Sequence, residues 1–158
     1  MGSGKSTIGK ELADMLALPL IEMDSEIEKL AGKSISAIFK EEGEIAFRKL
    51  ETCVLGSSLQ RKGIIATGGG VVTRNENLSL LSKEKRGIYL KGDMRTLQKR
   101  IENDFVNKRP LAKDKVSLER LFESRKAAYE AIATITIIID QKSIFEILEE
   151  IKEKGLIE

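Results

Sequence analysis

Met1-Gly2-Ser3-Gly4-Lys5-Ser6-Thr7 ends in the Gly-Lys-Ser of a phosphate-binding loop of the GxxxxGK[ST] type. Glycines let backbone N–H groups approach a triphosphate closely, Lys5 reaches its β- and γ-phosphates, and the Ser6 hydroxyl is a ligand for Mg²⁺. Gly2, Ser3, Gly4, Lys5, Ser6 and Thr7 are therefore the candidate ATP-binding residues, with Ser6 a candidate metal ligand. The helix that follows aims its positive end at the same anion. Ile8, Leu12, Met15 and Leu16 recur at helical spacing and predict its apolar face. A loop of this kind joins a buried strand to its helix, and the pattern's first glycine would lie two residues before Met1. About ten upstream residues, enough for one strand, are therefore expected in the functional protein, unless the loop is frayed at its root. The competing reading is a Gly/Ser-rich disordered terminus with a chance Gly-Lys-Ser.

The 158 residues suffice for one domain and one core. Hydrophobic residues make up 41% and charged ones 33%, and 27 basic residues against 25 acidic leave a net charge of +2. That balance is too even for a general nucleic-acid surface. With no long apolar run and no leader pattern, the chain is expected in the cytoplasm. The single Cys53 forms no internal disulfide, which fits a reducing compartment. There is no histidine at all. Histidine-based general bases and the common zinc sites are thereby excluded, so any base is a carboxylate and positive charge comes from Lys, Arg, backbone N–H groups or Mg²⁺.

Downstream, short apolar runs alternate with helical patterns. Residues 19–23, 63–67, 87–91 and 133–140 read as strands. Helices are expected over 26–31, around Ile35 to Phe39, from about Glu44 to Gln60, around Leu78 to Leu81, over 94–101, from about Ser117 to Ala131, and at the end through Ile144, Ile147, Leu148 and Ile151. In the helix from Glu44, Phe47, Leu50 and Val54 mark the buried stripe, with Arg48 and Glu51 at other angles. Residues 102–116 are polar and carry Pro110, which discourages helix. Such alternation means a parallel sheet with helices on both faces and ligands at the carboxyl ends of the strands. No internal repeat interrupts it.

Asp24-Ser25-Glu26, Gly43-Glu44-x-x-Phe47-Arg48-x-x-Glu51, Gly68-Gly69-Gly70, Arg109-Pro110-Leu111 and Arg125 follow the loop in order. In that combination the chain resembles the shikimate kinase family along essentially its whole length. The resemblance implies one domain, 1–158, with the three-layer P-loop kinase fold and strand order 2-3-1-4-5, its first strand absent from these residues. A shikimate-binding region at about 24–60 and a mobile lid at about 102–116 are implied with it. The expected reaction transfers the γ-phosphate of ATP to the 3-hydroxyl of shikimate, with Mg²⁺ and without nucleic acid or membrane, in a monomer. Competing readings are a nucleotide-binding module without turnover and a gluconate-type kinase of the same fold.

Physical chemistry agrees at each position. Arginines grip planar carboxylates through paired hydrogen bonds, and the resemblance gives Arg48 and Arg125 to the carboxylate of shikimate. Three glycines at a strand end let backbone approach a ligand, and the family uses the run matching Gly68, Gly69 and Gly70 for the ring. Asp24 and Glu26, two apart, leave an extended segment on one face. By resemblance Asp24 helps hold Mg²⁺ and Glu26 takes the place of the carboxylate that activates the hydroxyl. The family usually has Asp there, so the base is either Glu26 or Asp24. Arg109 is expected to close over both substrates, adding charge to that of Lys5 and contacting ATP.

Overall fold

Four short strands, paired two by two and all parallel, position everything else in the computed structural model, which describes residues 3–97 and 115–155. In chain order the elements are α1 (Lys5–Met15), β1 (Leu20–Glu22), α2 (Met23–Ala31), α3 (Ile35–Glu41), α4 (Gly43–Leu59) and β2 (Ile64–Ala66). A 3₁₀ turn (Val71–Thr73), α5 (Asn75–Leu81), β3 (Ile88–Lys91), α6 (Lys115–Ile132), β4 (Ile135–Ile138) and α7 (Ile144–Glu153) follow. β1 lies beside β2 with Leu20 opposite Ile64 and Glu22 opposite Ala66. β3 lies beside β4 from the Ile88–Ile135 pair to the Lys91–Ile138 pair. Among the described residues these are two separate ladders, and they match strands 2-3 and 4-5 of the expected 2-3-1-4-5 order.

Helix α1 reaches across both pairs. Ile8 and Leu12 are buried with Leu97, Ile137, Ile139, Ile147 and Ile151, and Ile64, Ile88, Leu90 and Ile135 pack against them. A second cluster, Met23, Ile27, Ile38, Phe47, Val54, Leu55, Val71 and Val72, lies between α2, α3, α4 and the 3₁₀ turn. Each fully buried isoleucine or leucine of this kind contributes roughly 1.5–3 kcal/mol. On the other side of the second ladder, Tyr89 of β3 stacks on Tyr129 of α6, ring centroids 5.1 Å apart.

Two short reversals decide which edge carries chemistry. Leu18 N donates to Ala13 O at 2.9 Å around Ala17, whose φ is 50°, so the chain doubles back from α1 into β1. The amino end of α1 therefore lies at the carboxyl edge of the strands. Likewise α4 turns directly into β2, which puts its amino-terminal half at that edge. Helix α1 sits close on the first ladder because position 9 has no side chain: a Cβ there would lie 3.3 Å from Leu20 Cδ1 and 3.7 Å from the Ala66 Cβ.

The elements agree with the sequence pattern, and three details do not. Met15 is 45% exposed, because the buried arc of α1 runs through Ile8, Gly9, Leu12 and Ala13 and leaves Met15 at its margin. Ile144 is 42% exposed, because a Ser143–Glu146 capping box starts α7 and the buried face begins only at Ile147. On α4, Arg48 and Glu51, expected at other angles than the apolar stripe, are buried together with Phe47 and Val54. The expected helix over 94–101 is described as far as residue 97, and the expected lid, 102–116, lies outside the described residues up to 114. No helix among the described residues is long and apolar enough to cross a membrane.

Candidate active site

At the amino end of α1, Gly4 takes φ 79° and ψ 24°, a left-handed conformation that glycine alone adopts without strain. No side chain caps this helix and its first turn holds no acidic residue. Its leading N–H groups and positive dipole end are thus aimed at an external anion. Lys5 Nζ donates to Ser3 Oγ at 3.3 Å, which folds the lysine back over the loop. Ser6 and Thr7 are exposed in the first turn. Gly2, Arg109 and its neighbours Lys108, Pro110 and Leu111 lie outside the described residues.

The other half of the site forms around the glycine run that follows β2. Gly68, Gly69 and Gly70 are buried, and the turn is closed by Val71 N on Gly68 O at 3.2 Å and by Thr73 N on Gly70 O at 3.0 Å. Asn77, fully buried, donates to Val71 O at 2.8 Å and ties the turn to α5. Arg48 packs directly on Gly70: a Cβ built there would lie 2.1 Å from Arg48 Nη1. Arg125 Nη1 and the Tyr129 hydroxyl both donate to the Gly69 carbonyl, the former at 3.1 Å. The two guanidinium groups sequence analysis assigned to one anion therefore meet on one turn.

Their electrostatics are unequal. Arg48 donates to Glu51 at 2.8 Å, with side chains 8% and 1% exposed, and to the half-exposed Glu44 at 3.2 Å. It also stands 5.1 Å above the Phe47 ring. Arg125 donates to a carbonyl, and burial lowers its pKa, with the charge of Arg48 acting in the same direction. Arginine nevertheless stays charged at any ordinary pH. Two buried guanidinium groups against one buried carboxylate leave the pocket net positive, a setting for a planar carboxylate held by paired hydrogen bonds.

Gly70→Ala follows as a test of that packing. The added methyl has to displace the Arg48 guanidinium from a position fixed by Glu51, while the backbone φ of −95° at Gly70 suits alanine. The expected result is a folded protein whose KM for a carboxylate acceptor rises about tenfold or more, the cost of weakening a charge-assisted hydrogen bond. Steady-state kinetics check it, and an unchanged KM would mean that Arg48 does not hold the acceptor.

The carboxylates come out differently from their sequence reading. Residues 24–26 are not extended: β1 stops at Glu22 and α2 takes in Asp24, Ser25 and Glu26 in its first turn. Two residues apart on a helix, Asp24 and Glu26 diverge rather than share a face. Glu26 is held by Lys29 at 2.9 Å and Arg61 at 2.8 Å, and those hydrogen bonds keep its pKa below the usual carboxylate range. Arg61 follows the carboxyl end of α4, whose last residue, Leu59, is roughly 16 Å of helix from Arg48. Glu26 is thereby engaged by two cations, whereas Asp24, in the turn that follows β1, keeps a buried Oδ1. Glu22, opposite Ala66 at the last rung of the first ladder, is a further carboxylate there that the sequence reading passed over. Tyr129 and the deep burial of Glu51 were also missed; their signal is position, four residues after Arg125 and three after Arg48.

Comparison with known proteins bears on this geometry. The family model described as "Shikimate kinase" matches residues 1–155. A shikimate kinase of Lactococcus lactis is 41% identical over 158 residues, covering 100% of this chain and 95% of its own. One from Dictyoglomus turgidum is 44% identical, covering 98% of this chain and 92% of its own. Among solved structures, "Shikimate kinase from Acinetobacter baumannii in complex with shikimate" matches with a TM-score of 0.91 and 33% identity over 99% of this chain and 88% of that one.

Proposed function

The chain belongs to the shikimate kinase family, and on that premise we propose how its residues divide the transfer of a phosphoryl group from ATP to shikimate. It consumes ATP and shikimate and yields ADP and shikimate 3-phosphate. Arg48 and Arg125 hold the acceptor's carboxylate, and the glycine turn at 68–70 lies against its ring. The observation that carries this reading is the convergence of both guanidinium groups on Gly69 and Gly70. Ser3, Gly4, Lys5, Ser6 and Thr7, together with Gly2, cradle the triphosphate through backbone N–H groups at the start of α1.

Asp24 is the base in this reading. Glu26 is engaged by Lys29 and Arg61, so Asp24 takes the proton of the 3-hydroxyl as that oxygen attacks the γ-phosphorus and ADP leaves. Lys5 offsets the charge that spreads over the transferring group. Arg109, named from sequence, adds charge from the lid side. No group of three metal-ligating residues stands together among the described residues. That fits Mg²⁺, which keeps water and phosphate oxygens and asks for one or two protein ligands, here the exposed Ser6 hydroxyl and Asp24. Bound there with ATP, it would offset phosphate charge. The reading also takes the chain as a cytoplasmic monomer without membrane partners, and the balance of 27 basic against 25 acidic residues speaks against a general nucleic-acid surface.

The test is ADP release from Mg·ATP with shikimate, with gluconate, and with neither acceptor. Shikimate-dependent turnover is the expected result. Turnover with gluconate and none with shikimate would overturn the assignment of the acceptor.

A further inference from the structure

We propose that Tyr129 is a positioning residue for the acceptor, acting through the Gly69–Gly70 peptide and the Arg125 guanidinium, an inference that rests on the reading of the glycine turn as the acceptor's seat. Tyr129 and Arg125 sit one turn apart on α6 and deliver their donors to a single acceptor, the Gly69 carbonyl. Three groups are thereby fixed against one another: a peptide plane, an arginine fork and a hydroxyl.

A trans peptide points its C=O and the following N–H in opposite directions. Fastening Gly69 O to α6 therefore turns the Gly70 N–H away from α6. Glycine is the residue least able to hold such an orientation by itself, because it has the widest choice of backbone conformations. With three glycines in a row, a rigid clamp from outside the turn is what makes the peptide direction single-valued. Arg125 alone would serve poorly, since its fork must also face the acceptor's carboxylate. Tyr129 takes up the carbonyl and leaves Arg125 free to divide its donors.

The clamp is itself anchored. The Tyr129 ring stacks on Tyr89 with an interplanar angle of 24°, and Tyr89 is in the middle of β3, opposite Thr136 of β4. Burial raises the Tyr89 phenol to about 12, so that ring stays neutral across the working range of pH. Position on a strand, through a ring pair, is thus passed to the turn.

Tyr129→Phe keeps the ring and the stack and removes only the donor. The expected result is a KM for shikimate raised about tenfold, with kcat and the KM for Mg·ATP changed less than about twofold and the thermal midpoint near that of the unchanged protein. Shikimate methyl ester, which lacks the charged group that Arg125 receives, should show a smaller penalty than shikimate. An unaltered KM for shikimate, or an equal rise in both KM values, overturns the proposal. Should the variant not fold, the chain's two tyrosines allow a second route. In Tyr89→Phe protein labelled with 3-fluorotyrosine, Tyr129 is the single probe, and shikimate is expected to shift its ¹⁹F resonance whereas Mg·ATP alone is not. A resonance indifferent to shikimate overturns the proposal as well. Absence of any shikimate turnover by the unchanged protein would instead count against the acceptor assignment, which keeps the two failures distinct.

Discussion

Asp24→Asn is expected to lower kcat by about 10²–10⁴, the usual contribution of a positioned general base, with little change in fold. Asparagine keeps the size and the hydrogen-bonding reach of the side chain and removes its ability to accept a proton. The control is Glu26→Gln, which is expected to cost less than about threefold, because exposed ion pairs of the kind Glu26 makes with Lys29 and Arg61 contribute little. Turnover at saturating Mg·ATP and shikimate reads both. The opposite ranking, a severe loss at Glu26 and a mild one at Asp24, would return the base to Glu26 and require α2 to open its first turn in the complex.

Arg48→Met is expected to be damaging twice over. With the guanidinium gone, the Glu51 carboxylate, 1% exposed, loses the partner that stands 2.8 Å away. Taking the nearest cation from a buried charge in this way costs up to about 3–5 kcal/mol, a large part of the stability of an ordinary domain, about 5–15 kcal/mol. At the same time the acceptor loses a charge-assisted contact, expected to raise its KM about 10–100-fold. The two losses separate in the Arg48→Met/Glu51→Gln double variant, where the buried carboxylate is neutralised together with the loss of the guanidinium. Urea unfolding should then recover most of the stability, and the acceptor KM should stay high. A single variant that binds shikimate normally would refute the role in recognition, and a double variant no more stable than the single would refute the stranded-charge account.

The parts of the site legible in the sequence are those set by local spacing. Gly4-Lys5-Ser6 names its own geometry, because one turn of helix and one left-handed glycine produce the anion site whatever the rest of the chain does. Arg48, the glycine run and Arg125 were legible as a set through the family they resemble, and the fold brings them to one turn. Asp24 and Glu26 were misread for a reason of length. A strand of three residues ends at Glu22, and no propensity rule resolves whether the next three residues extend it or start a helix. Glu51 and Tyr129 were passed over because hydrophobic periodicity assigns polar side chains to solvent. Their places depend on the glycine turn, which packs on Arg48 and takes hydrogen bonds from α6, contacts made across long stretches of chain.

Gly9 sets a gauge between the two halves of the reaction. Helix α1 carries the phosphate loop and the strands beneath it carry the acceptor's end, and the two touch where position 9 has no side chain. The spacing between helix and ladder is set there by helix backbone lying against the side chains of Leu20, Ile64 and Ala66. Even a methyl group there, 3.3 Å from Leu20 Cδ1, asks the helix or the strand to give by a few tenths of an ångström. In-line transfer depends steeply on approach, so a substitution at a position that meets no substrate is expected to reach the chemistry through the seat of the helix.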